Sequence, residues 1–120
     1  MAAIRATQLF NSNPHDIIQC WNRAVIEQFP HQEASQKKGC PKTAYLGLCE
    51  EGLVKGVPSG NYTRGTLNKE YAVNAVRILK VNNRKFSSEE LWSAVMQENK
   101  KTSNSQMDVV LALWGEGLIL

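Results

Sequence analysis

Cys40 sits among lysines in Lys37-Lys38-Gly39-Cys40-Pro41-Lys42, immediately before a proline that can open a helix. A thiol at a helix start surrounded by cations is placed where its thiolate is stabilised, so Cys40 is the candidate nucleophile. Its base would have to be one of two histidines. His15 falls in the first turn of a helical pattern, where a capping role suffices. His31 follows Phe29-Pro30 in a polar loop, and no acid or amide is spaced to complete a Cys40–His31 pair. A cysteine-dependent enzyme is thus a third reading, and the sequence leans away from catalysis. His31, Cys40 and Cys49 lack the spacing of a zinc site. Three cysteines without a CxxC pair fit free thiols rather than a disulfide frame. No cofactor motif is present.

The same lysines suggest different chemistry. Free amides at a helix start, with Lys37, Lys38, Gly39 and Lys42 around them, suit a phosphate or carboxylate. The spacing of a P-loop is absent, so nucleotide hydrolysis is not supported. Downstream, GVPSGNYTRG (residues 56–65) could form a wing, with Leu53-Val54 going out and Asn61-Tyr62-Thr63 returning. Lys55, Tyr62 and Arg64 would then combine stacking with phosphate contact. These residues lie in a basic stretch: from Lys37 to Lys85 there are ten basic and three acidic residues, a net of +7 within a chain of +3. Such a field attracts polyanions.

The elements that must position these groups are helical. Asn13-Pro14-His15-Asp16 reads as a helix start with Asn13 as cap, and Ile17, Ile18, Trp21, Ala24, Val25 and Phe29 follow at helical spacing. A short helix with Ile4, Leu9 and Phe10 precedes it. Pro41 opens the next helix, which ends at Gly52. Asn68 or Thr66 caps another, carrying Tyr71, Ala72, Ala75, Val76 and Leu79. Ser87 and Glu90 form a capping box for a helix with Leu91, Trp92, Val95 and Met96 on its inner face. Ser103-Asn104-Ser105-Gln106 repeats the box. The helix it starts, MDVVLALW, is apolar nearly all round, so it is expected to be the most buried, with Leu111, Leu113 and Trp114 inside. Glu50-Glu51 reads as a solvated helix end.

One phrase occurs twice. LGLCEEGLV (46–54) and LALWGEGLI (111–119) share Leu-x-Leu-x-x-Glu-Gly-Leu-Val/Ile. Each is the second half of a core helix plus its glycine stop. Helix, then Gly-Leu-Val/Ile, then strand is also how a winged-helix protein reads. Against this, the would-be recognition helix has no Lys or Arg for base edges.

At 120 residues with a 42% apolar share, the chain is expected to form a single helical domain over 1–120. The fold class is all-α, a compact five- or six-helix globule with a Gly-rich loop or short β-hairpin at about 53–66. No apolar stretch approaches a membrane span and no signal peptide is evident, so a cytoplasmic location without membrane partners is expected. Three tryptophans in so short a chain suggest pairing, and a homodimer is expected.

KKGCPKTAYLGLCEEGLVKGVPSGNYT, NKEYAVNAVRIL and QMDVVLALW together resemble a small uncharacterised family of bacterial proteins, of the kind carried on integron gene cassettes. The resemblance spans about residues 9–119. It implies a compact bacterial cytoplasmic protein and brings no activity or site residue with it. The leading functional reading is a non-catalytic protein that binds a small molecule or a partner. The alternative is a nucleic-acid-binding adaptor that uses the basic 37–85 segment.

Overall fold

The computed structural model describes residues 2–14, 16–33, 39–63, 67–82, 84–97 and 106–120. It is all-α, with six helices among the described residues: α1 Ala2–Ser12, α2 Ile17–Gln28, α3 Gly39–Glu50, α4 Leu67–Val81, α5 Ser88–Met96 and α6 Gln106–Gly115. α1 pairs with α2, α3 with α4, and α5 packs on α4. α6 touches α1, α3, α4 and α5. None of these helices is long and apolar enough to cross a membrane.

The centre of the core is α3. Six consecutive residues, Ala44 to Cys49, are buried on it, so every side of the helix is covered. This corrects the expectation for α6. Met107, Val109, Val110 and Leu113 are buried, but Leu111 is half-buried and Trp114 is 38% exposed. An apolar sequence says that a helix can be covered all round. Neighbours decide whether it is, and beyond the stripe that faces α3, α4 and α5 the last turn of α6 lies open.

A polar pair is sealed inside the centre. The Thr7 hydroxyl donates to the Ala3 carbonyl at 2.9 Å, so the Tyr45 hydroxyl donates to Thr7 Oγ1 at 2.7 Å. Trp21 stacks on Tyr45 with ring centroids 5.1 Å apart. Burial pushes the Tyr45 phenol far up and the Cys49 thiol up to about 12, which leaves Cys49 an inert core side chain.

The two copies of the repeated phrase end alike and then meet. The Leu53 amide donates to the Leu48 carbonyl and Gly52 to Cys49, both at 3.0 Å. In the second copy Leu118 donates to Leu113 at 2.9 Å and Gly117 to Trp114 at 3.2 Å. These are two Schellman caps, and their glycines hold φ of 73° and 71°, a region that costs a side chain about 1–2 kcal/mol. Val54 then pairs antiparallel with Ile119, its own equivalent. The flanking bonds, Lys55 N–H to the Leu118 carbonyl at 2.8 Å and Leu120 N–H to the Leu53 carbonyl at 2.9 Å, exchange under a local two-fold rotation. The hairpin expectation is therefore corrected: Val54 pairs with the C-terminal segment and not with residues 61–63. The partner segment is the other copy of the same phrase.

Other boundaries move for local reasons. α2 starts at Ile17, and its cap is Asp16, whose carboxylate accepts from the Ile18 amide at 2.9 Å; Asn13 is not the cap. Asn68 lies inside α4, where it accepts from Gln106 Nε2 at 3.1 Å instead of capping. The Ser87–Glu90 capping box is present as expected. Residues 103–105 of the second box, His15 and Thr66 lie outside the described residues.

Glu50 is not a solvated end. Its side chain is 11% exposed and bonds Lys69 Nζ at 2.5 Å, while the Tyr62 amide donates to its other oxygen at 2.8 Å and Thr63 at 3.3 Å. Glu51 shares Lys69 at 2.8 Å. One carboxylate thus ties the glycine-rich excursion to both α3 and α4. The Lys69 ammonium, followed by the two amides, holds the Glu50 carboxyl below the usual glutamate range despite an opposing desolvation effect. A depressed folded value means that the contribution is complete above the ordinary value of about 4.3 and drains as pH falls through the folded one. Glu50→Gln is expected to lower the melting temperature at pH 7. It should also make the acid limb below about pH 4.3 shallower. Melting curves from pH 7 to pH 2 check this, and identical acid limbs in the two proteins would exclude the tie.

Candidate functional site

α4 ends at Val81 with a lysine in its last turn, where a cation complements the helix dipole. The described residues that follow it toward α5, Asn82 and Arg84 to Phe86, together with the open last turn of α6, bound a groove of about 580 Å³ lined by Leu79, Lys80, Asn82, Arg84, Lys85 and Trp114. No carboxylate is among these described lining residues. Arg84 is held in place by its surroundings. Its guanidinium lies 3.8 Å from the centre of the Phe86 ring, donates to the Lys85 carbonyl at 3.0 Å and pairs with Glu90 at 3.2 Å. The Ser87 amide first, and Arg84 second, hold the Glu90 carboxyl below its usual range, so it stays ionised near neutral pH. Lys80 and Lys85 make no ion pair among the described residues.

The aromatic side of the groove is Trp114. Trp21 and Trp92 are 2% and 8% exposed, so Trp114 is the one tryptophan that reaches solvent. The groove therefore offers two flat surfaces, an indole and a guanidinium backed by a phenyl ring, beside two ammonium groups that have no ion pair among the described residues. Such a set can hold a phosphate or carboxylate and cover a planar group. Two other hollows are charge-balanced. One contains the Arg5–Glu27 pair, and in the other Lys69, Arg77, Glu51 and Glu70 oppose one another.

The residues named from sequence are placed differently. Lys37, Lys38 and Arg64 lie outside the described residues. Gly39 and Lys42 stand in the first turn of α3, and Lys55 follows its far end. A twelve-residue helix separates these ends by about 18 Å. Tyr62 is half-buried against the core, its hydroxyl donates to the Pro58 carbonyl at 2.6 Å, and its amide is held by Glu50. Cys40 is half-buried and His31 exposed. Among the described residues no group of three or more His, Cys, Asp or Glu could hold a metal ion.

Lys80, Arg84 and Lys85 fall within the basic segment, but the groove is not evident from sequence, where Trp114 reads as core. The repeat itself misleads here, since Trp114 aligns with Cys49, which is fully buried. The available signal was a basic turn running into an aromatic, Arg84-Lys85-Phe86.

The chain belongs to a family of unknown function (DUF6979), whose model matches residues 1–120. No curated protein and no solved structure matches it.

Proposed function

We propose that this family member is a non-catalytic binding protein whose ligand is anionic and sits in the groove between the end of α4, Arg84-Lys85 and Trp114. One observation carries the reading: three cations and the solvent-reaching tryptophan share one groove without a carboxylate among its described lining residues. Lys42 and Lys55 belong to the same basic segment and add to the potential around the chain. Leu67 and Val81, two of the exposed large apolar residues, stand at opposite ends of α4, about 21 Å apart.

The buried state of Trp21 and Trp92 makes a selective test available. Iodide is expected to quench Trp114 more strongly at low ionic strength than at high, because the groove concentrates anions within a Debye length of about 10 Å at 0.1 M. Lys80→Gln/Lys85→Gln should weaken iodide quenching while leaving neutral acrylamide quenching unchanged. Inorganic tripolyphosphate should protect Trp114 from iodide in the wild type only. Iodide quenching that ignores both the double substitution and tripolyphosphate would overturn the reading.

A further inference from the structure

We infer that the ligand of this groove is a single-stranded nucleic acid, with one base on the Trp114 indole and adjacent phosphates on Lys80 and Lys85; this rests on the anion-binding reading above. The groove is open to solvent, so a ligand longer than a single anion can run through it. It sets a flat apolar face beside Lys80 and Lys85, which have no ion pair among the described residues, and this is how strands are held without sequence readout. Arg84, between Lys80 and Lys85 in sequence, is held 3.8 Å over the Phe86 ring, which places a third cation at the groove. Duplex recognition is disfavoured by charge. The helix that brings Trp114 to the groove carries Asp108 and no Lys or Arg, and Glu116 follows it, so this element has no base-reading cation for a major groove. The net of +7 across 37–85 supplies the longer-range attraction that a strand needs.

The test uses the full chain with fluorescein-labelled dT12 and rU12, a duplex of the same length, and unlabelled oligonucleotides for tryptophan quenching. Single strands are expected to bind, to quench Trp114 and to bind more tightly than the duplex. Trp114→Ala should weaken binding roughly 5- to 150-fold, the range seen when one stacked base loses its aromatic. Lys80→Gln/Lys85→Gln should reduce the slope of log affinity against log salt by about 1.4, since each phosphate neutralised on a single strand contributes about 0.7. Melting curves establish that both variants fold. Tighter duplex binding, unchanged affinity in Trp114→Ala, or no single-strand binding at low salt by the folded protein would each overturn the inference. If tripolyphosphate still protects Trp114 in that last case, only the nucleic acid is lost. If it does not, the anion-binding reading falls with it.

Discussion

Leu113→Ala is expected to destabilise the protein by about 2–5 kcal/mol, the range for truncating a fully buried leucine. Leu113 is 0% exposed and sits on the stripe of α6 formed with Met107, Val109 and Val110. Its carbonyl also accepts the Leu118 amide in the Schellman cap, so its position is fixed from both sides and the site has little freedom to collapse. Two neighbours calibrate the result. Leu111→Ala, at a half-buried position, should cost less. Trp114→Ala should also cost less than Leu113→Ala, because the indole is 38% exposed and only its covered part loses packing. Urea midpoints for the three variants give this order directly. A Trp114→Ala loss equal to that of Leu113→Ala would mean that α6 is rotated from its described orientation, and the groove would lose its aromatic wall.

Gly47→Ala is expected to destabilise by about 1–3 kcal/mol, the cost of overpacking a tight contact. Helix propensity alone predicts the opposite sign, a gain of about 0.5–1 kcal/mol from replacing a mid-helix glycine by alanine. Packing prevails because a Cβ on Gly47 would lie 2.6 Å from Lys69 Cβ and 2.9 Å from Lys69 Cα. The second atom is backbone, so α3 and α4 would have to separate rather than one side chain swing away. Separation would also stretch the bonds from Lys69 to Glu50 and Glu51, which tie down the glycine-rich excursion. The loss should therefore appear in the denaturant midpoint and as faster amide exchange at Tyr62 and Thr63. A stabilised Gly47→Ala protein would exclude the close approach. Ala112, the equivalent position in the second copy, shows that the repeated phrase itself tolerates a methyl there. The demand for glycine comes from the neighbouring helix.

What the sequence determined by itself was local. Five or six helices, and the inner faces of α1 to α5, follow from the spacing of Phe10, Trp21, Ala24, Leu48, Ala75, Val76, Leu79, Leu91 and Met96, all of them buried. The Ser87–Glu90 box and the glycine stops at 52 and 117 were legible because caps involve residues within a turn of one another. The tertiary structure alone decided which apolar helix is central, since α3 and α6 are both apolar enough and only the arrangement of α2, α4 and α6 around α3 separates them. It alone paired Val54 with Ile119, a contact 65 residues away in sequence that no local pattern specifies. It turned Glu50 from a helix-end charge into an anchor by bringing Lys69 and the Tyr62 amide to it. It also took Trp114 out of the core and set it beside Lys80, Arg84 and Lys85. Burial and electrostatic pairing depend on neighbours far along the chain, and one sequence read residue by residue carries their chemistry but not their positions.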